Sequence, residues 1–177
     1  MQIRSGSLLI AHPVHADKEN VNHVVYITES TSASTMGLTL NHLSRYDLKE
    51  LLAKKGIDWY GDREVYIGGE YNPHALVMLH STEWYSSNTM QIDESLSISS
   101  DGLMIEKMEM GNTPDWYRLF IGYKGWDPAE LAHELKCNNP KWLLLAKPSQ
   151  VLIEFADRNV WHNAVAEYGQ DVFSNYI

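Results

Sequence analysis

Apolar residues recur along this chain in two patterns, one with a helical period and one in short dense runs, and together they divide it into elements. Over Ser44–Lys55, Leu48, Leu51 and Leu52 share one helical face, Ser44 and Asp47 stand at capping-box spacing, and Gly56 follows as a left-handed stop. Asp127-Pro128, an N-cap followed by proline, opens a second helix that passes through Leu131 and Leu135 and stops near Asn138-Asn139-Pro140. Val160, Trp161, Ala164, Val165 and Tyr168 predict a third helix over Asp157–Tyr168, ended by Gly169. A shorter helix follows Ser100-Asp101, with Leu103, Met104 and Met108 on its apolar side. Runs rich in aliphatic and aromatic residues predict strands at Ser7–Ala11, His23–Thr28, Met36–Asn41, Glu64–Gly68, Ala75–His80, Thr89–Ile92, Tyr117–Tyr123 and Gln150–Phe155. Val24-Val25-Tyr26-Ile27 is apolar without a break, as in a strand covered on both faces. Strands outnumber helices and do not alternate strictly with them, so the pattern predicts an α+β fold.

Composition narrows the function classes. The 177 residues fit one domain, 1–177, without internal repeats, low-complexity tracts or Pro/Gly/Ser linkers. The chain carries 14 Lys+Arg against 23 Asp+Glu, a net charge of −9, and so repels phosphate backbones as a whole. Generic nucleic-acid binding, which needs clustered basic residues, is therefore not expected, although protonation of all 8 histidines would nearly cancel that charge. The single Cys137 excludes an internal disulfide and any Cys-rich zinc site, in keeping with a reducing, cytoplasmic compartment. The apolar run Leu8–Ala11 is too short for a signal-peptide core, and no stretch approaches the roughly 20 apolar residues of a membrane span.

Candidate chemistry is sparse. His12 and His15, with Asp17, Glu19 and His23 nearby, offer imidazole and carboxylate, but Pro13 interrupts any regular helix that would align them. No metal and no cofactor is expected. His80 closes the apolar run Met78-Leu79-His80, where it either points into a cleft or serves as a hydrogen-bonded strand-end residue. No Gly-x-Ser-x-Gly elbow is present. Cys137 falls near a helix C-terminus, where the helix dipole disfavours a thiolate, and reads as a packing residue. Glu130 and Glu134 share a helix face with Asp127 before them, a carboxylate pair or simply a solvated stripe. Gly68-Gly69 suggests a tight turn or a close backbone approach, or else a phosphate cradle. The 6 Trp and 10 Tyr against 3 Phe give aromatic surface with polar tips, suited to cores, rims and wet pockets alike.

Several segments together resemble the AlgH/YqgE family of bacterial proteins. They are Ile10-Ala11-His12-Pro13, Val24–Glu29, Met36-Gly37-Leu38-Thr39-Leu40-Asn41, Gly68-Gly69 with Leu79-His80, and Gly122-Tyr123-Lys124-Gly125-Trp126-Asp127-Pro128-Ala129-Glu130-Leu131 followed by Glu134-Leu135. Ile153, Phe155, Trp161, Ala164 and Gly169 are similar to the family's C-terminal segment. The chain departs from the family pattern at Leu43 and Glu70, where the family has proline, and at Ala129-Glu130, where it has Gly-Gln. The Asn138–Leu143 segment keeps the pattern only loosely. The resemblance implies an α+β fold with a curved, barrel-like, mixed or antiparallel sheet flanked by three to four helices. Some members are described as regulators of transcription, and the family supplies no catalytic residues.

Physical sense follows for the shared positions. Gly37 permits a close contact at the start of its strand, and Asn41 either satisfies backbone groups or turns both amide ends to a ligand. Gly122 and Gly125 bracket an aromatic turn into a helix whose N-terminus either binds an anion or is capped by Asp127. Convergence of Asn41, Gly68, Gly69, His80, Tyr123, Gly125 and Trp126 would give a pocket with a polar floor and an aromatic lip. The expectation is a non-catalytic binding or regulatory module acting indirectly through a protein or small-molecule partner, and homo-oligomerisation is compatible with it. The alternatives are a small-molecule hydrolase or transferase using His80, and a direct DNA-binding regulator.

Overall fold

In the computed structural model, which describes residues 2–174, the uninterrupted apolar run becomes β2 (Val24–Ser30), fully buried over its first four residues. It follows β1 (Leu8–Ala11) and precedes β3 (Thr35–Thr39), α1 (Leu48–Ala53), β4 (Tyr66–Ile67) and β5 (Tyr71–Ser81). Then come β6 (Met90–Gln91), β7 (Leu96–Ser99), α2 (Gly102–Glu109), β8 (Tyr117–Trp126), α3 (Pro128–Lys136) and β9 (Trp142–Leu145). Two helices, α4 (Gln150–Glu154) and α5 (Val160–Ser174), complete the order. The α+β class expected from the pattern is the class observed. Among the described residues there are five α-helices instead of three to four.

These elements form two compact units, one from the residues up to Asn41 with those from Lys124 onward, the other from His42–Tyr123. One boundary falls between Asn41 and His42 and the other inside the continuous strand β8. Neither therefore carries a linker composition.

In the first unit, β9, β1, β2, β3 and the Lys124–Trp126 end of β8 pair antiparallel in that order. Leu9, Ala11, Val25 and Ile27 pack with Trp126, Leu131 and Trp142. Gly37 is required here, because a Cβ on it would lie 2.7 Å from Val25 Cγ1 and 2.9 Å from the Tyr26 carbonyl oxygen. In the second unit, β6, β7, β5 and the Tyr117–Tyr123 part of β8 pair antiparallel, and β4 lies parallel to β8. Its core joins Leu48 and Leu52 of α1 to Trp59, Met78, Met104 and Leu119. Burying each Leu or Met side chain stabilises the fold by about 1.5–3 kcal/mol.

Several elements differ from the pattern's prediction. Helix α1 begins at Leu48 with Asp47 as N-cap, whose Oδ1 accepts the Glu50 N–H at 3.3 Å. Ser44 does not form the capping box; its Oγ accepts the Tyr46 N–H at 3.1 Å. Gly169 does not end α5 but continues it, since its backbone is not left-handed and its side-chain position is open. Gln150–Glu154 is a helix, not a strand, and the Glu167 carboxylate on α5 accepts from both the Ser149 N–H (2.6 Å) and its hydroxyl (2.8 Å) just before it. Strands β7 and β9 have no counterpart in the prediction. No helix among the described residues is long and apolar enough to cross a membrane.

Candidate functional site

The second unit contains a cleft of about 460 Å³, within the roughly 300–1,000 Å³ typical of small-molecule sites. One wall is α1, whose i, i+3, i+4 spacing puts Leu48, Leu51 and Leu52 on one side. Ile67, Leu76 and Ile121 from the sheet add further apolar surface. Further lining arises from an irregularity in β5. Tyr71 pairs with Tyr123 and Leu76 with Ile121, so five steps along β5 answer two along β8, and the extra residues bulge outward. Asn72 starts the bulge in a left-handed conformation (φ 47°), and Pro73, which has no N–H to donate to a ladder, sits within it. Pro73, His74 and Ala75 thereby line the cleft.

Gly69 also lines it, and its position is fixed from β8. Gly122 has φ 69°, and a Cβ there would approach the Gly69 carbonyl oxygen to 2.5 Å and the Tyr71 carbonyl oxygen to 2.9 Å. The Gly68 N–H donates to the Ile121 carbonyl at 2.9 Å. The adjacent glycines thus mark a close backbone approach. Of the 12 lining residues none is Asp or Glu; the polar groups are those of Tyr46, Lys55 and His74, all exposed.

His80, on β5, does not line this cleft. It is 0% exposed, with Trp84 edge-on at 5.1 Å. Its Nδ1 lies 2.8 Å from the Ser81 carbonyl oxygen, which can only accept, so Nδ1 carries the proton and Nε2 accepts from Ser99 Oγ at 2.8 Å. Ser99 Oγ, its proton given to His80, in turn accepts from Thr89 Oγ1 at 2.6 Å, and Thr89 Oγ1 accepts the Ser86 N–H at 2.7 Å. Ser86 Oγ donates to Asp101 Oδ2 at 2.6 Å, and Asp101 Oδ1 caps α2 by accepting the Met104 N–H at 2.8 Å. Burial pushes the His80 pKa below its ordinary 6.5, outweighing the Ser81 carbonyl and the Glu83 charge, which act in the other direction. A neutral imidazole facing a serine hydroxyl is the arrangement of a base and its nucleophile. Here Ser99 is only 2% exposed, so the pair is enclosed as the structure stands.

The first unit holds Asn41, Gly125 and Trp126. Asn41 accepts the Val24 N–H at 3.0 Å through Oδ1 and donates to the Asn22 carbonyl at 2.8 Å through Nδ2. Both amide ends are therefore used by backbone, and Asn22 itself is left-handed (φ 62°). Gly125 pairs with Met36, while Trp126 meets Trp142 edge-on at 6.1 Å. The buried Lys124 ammonium lies 5.7 Å and 5.9 Å from those two ring centroids. Trp142 Nε1 donates to Glu134 Oε2 at 2.8 Å, which gives that carboxylate a structural partner. Tyr123, in the second unit, stacks on Tyr71 at 6.2 Å.

Other candidates find local structural partners. Asp127 Oδ1 accepts the Ala129 N–H at 2.9 Å and caps α3. His12 Nδ1 accepts the N–H groups of Val14 (3.1 Å) and His15 (3.2 Å), and burial, reinforced by His15, lowers its pKa. The Cys137 thiol donates to the Asn139 carbonyl at 3.2 Å. Among the described residues no three His, Cys, Asp or Glu side chains gather as a metal site.

The seven residues singled out in the sequence are thus divided between the two units, and of them Gly69 alone lines the cleft. The sequence pattern places Leu51 on an apolar helix face and marks none of Lys55, His74, Leu76 and Ile121 as a site residue. The signal that could have found their site is Asn72-Pro73, a turn dipeptide one residue short of the strand predicted at Ala75–His80.

Fold and site together define an α+β protein of mainly antiparallel sheets with an apolar cleft of small-molecule size. The AlgH-like family (DUF179) matches residues 8–173, and the chain belongs to it. A UPF0301 protein of Marinomonas sp. (strain MWYL1) is 33% identical over 81% of this chain and 78% of its own length. A UPF0301 protein of Alcanivorax borkumensis is 31% identical over 93% of this chain and 89% of its own. The solution structure of the AlgH protein from Pseudomonas aeruginosa shares the fold with a TM-score of 0.75 at 24% identity, covering 94% of this chain and 90% of that one.

Proposed function

We propose that the protein is a non-catalytic binding or regulatory module that acts through a ligand held in the cleft between α1 and the β5 bulge. The observation that carries this reading is the cleft itself: apolar walls, a few polar groups at the mouth and a volume of about 460 Å³. Regulation through such a site is indirect, in keeping with a net charge of −9 that disfavours phosphate backbones. It also agrees with the regulatory role that the sequence resemblance implies.

A thermal-shift screen of metabolites, nucleotides and metals against the full chain tests it. A ligand at 100 times its Kd stabilises the native state by about 2.7 kcal/mol, a rise in Tm of roughly 5–10 °C for a chain of this size. Hits whose shift disappears in Ala75→Trp, which crowds the cleft, support the reading. Hits unaffected by Ala75→Trp and by a second filling variant, Leu51→Trp, would place the ligand elsewhere and overturn it.

A further inference from the structure

The charge around the cleft runs against the charge of the chain. With 23 Asp+Glu in the sequence, an acidic residue would be expected somewhere on a 12-residue lining, yet none is present. The only formally charged lining side chain is Lys55, whose ammonium has no ion-pair partner among the described residues; His74 adds an imidazole. The segment that forms the α1 wall, residues 44–55, carries Arg45, Lys49, Lys54 and Lys55 against Asp47 and Glu50. Asp47 is itself engaged by Arg63 through a hydrogen bond from Nε at 2.7 Å.

At the end of α1 the Glu50, Leu52 and Ala53 carbonyls accept N–H groups from Lys54, Lys55, Ile57 and Gly56, which leaves fewer free acceptors near the Lys55 ammonium. Beneath the mouth the surface is leucine and isoleucine, so a bare inorganic anion would leave most of the cleft unfilled. The arrangement calls for a molecule with one anionic end and a hydrocarbon body.

We propose that the cleft binds an anionic amphiphile, a carboxylate on an apolar chain, with Lys55 at the head group and Leu51, Leu76 and Ile121 against the chain. This rests on the cleft being the ligand site. Each methylene entering the cleft then tightens binding by up to roughly 4-fold. Lys55 contributes a solvent-screened ion pair, a factor of roughly 2–5 that shrinks as salt rises.

Isothermal titration of the full chain with acetate, hexanoate, octanoate and decanoate, and with decanol and decyltrimethylammonium, tests the assignment. The expected result is affinity that climbs along the carboxylate series, with decanoate tighter than decanol and the cation weakest. Lys55→Gln should weaken decanoate by roughly 2–5-fold and leave decanol unchanged, while Ala75→Trp weakens both. Equal binding of decanoate and decanol, insensitive to Lys55→Gln, would overturn the anionic assignment and leave the cleft as a neutral apolar site. No binding of any chain-bearing probe would overturn the cleft reading as well. A dimer in sedimentation equilibrium that Leu51→Glu dissociates and decanoate does not would give the cleft to a second copy of the chain, and would also overturn the proposal.

Discussion

Replacing Gly122 by alanine probes the contact that fixes one edge of the cleft. Gly122 lies at φ 69°, a left-handed conformation that costs an L-residue about 1–2 kcal/mol. Its new Cβ would also stand 2.5 Å from the Gly69 carbonyl oxygen and 2.9 Å from that of Tyr71, both backbone atoms that no rotamer change can move. Forcing the connection between β4 and β5 aside resembles overpacking, about 1–3 kcal/mol more. The sum is about 2–5 kcal/mol, a large part of the 5–15 kcal/mol typical of a folded domain. Gly56 and Gly111 provide the internal controls. Their φ values are 76° and 80°, but a Cβ at either meets nothing within 4 Å, so their alanine variants should show the conformational cost alone. Urea unfolding of the three variants, fitted with a common m-value, isolates the contact as the difference in midpoint. If Gly122→Ala is no more destabilising than Gly56→Ala and Gly111→Ala, the close approach of Gly69 and Tyr71 to β8 is not what requires glycine there.

Asn41→Ala removes the acceptor for the Val24 N–H and the donor to the Asn22 carbonyl, and should cost about 1–3 kcal/mol in chemical denaturation; a loss no larger than that of an exposed substitution would contradict the clamp. Asn41→Asp keeps the acceptor for Val24 but sets a carboxylate oxygen against the Asn22 carbonyl, acceptor facing acceptor, and should not recover that loss. Ser99→Ala deprives His80 Nε2 and Thr89 Oγ1 of their partner in a buried chain, again about 1–3 kcal/mol by urea unfolding, and unchanged stability would show the chain to be dispensable. Because burial lowers the His80 pKa below 6.5, the unfolded chain takes up a proton at a pH where the folded one does not. The His80 contribution to stability is therefore complete above pH 6.5 and is lost as the pH falls toward the folded value, with a slope of at most about 1.36 kcal/mol per pH unit. Stability measured from pH 7.5 downward should fall less steeply in His80→Gln than in the unmodified chain, and parallel curves would assign the titration to other groups.

What the sequence made legible in the fold was whatever has a local cause. Asp127-Pro128 opens α3, Asp101 caps α2, and the Val24–Ile27 run is a buried strand, because caps, proline and continuous apolar runs act over a few residues. Gln150–Phe155 failed because a short apolar run suits a buried helix as well as a strand. The run folds as α4, and at its start the Glu167 carboxylate, 18 positions from Ser149, holds the Ser149 N–H and hydroxyl. Trp142–Leu145 is equally short, and becomes β9 by pairing with β1, more than a hundred residues earlier in the chain. Gly169 has the identity of a helix stop, but a glycine ends a helix only when it turns left-handed, as Gly56 does after α1.

The candidate site was harder to see, for a different reason. Leu48, Leu51 and Leu52 share a helical face whether that face is closed by other side chains or left partly open as the wall of a cleft. What opens it is the bulge at Asn72-Pro73, which displaces Pro73, His74 and Ala75 from the β5 ladder without altering the hydrophobic period on either side. Polar residues at strand ends were legible as chemistry, yet Asn41 gives both amide ends to backbone and His80 is enclosed with Ser99. A net charge is similarly blind to place. The −9 of the whole chain bears on long-range encounter with nucleic acid, where a protein's charges act together. At the mouth of a cleft the Debye length of about 8 Å at physiological salt leaves the nearest side chains in control, and Lys55 is the charged one among the cleft's lining residues. An acidic protein can therefore present a locally cationic mouth, and salt dependence separates the two effects: decanoate affinity should fall as salt rises, whereas decanol affinity should not.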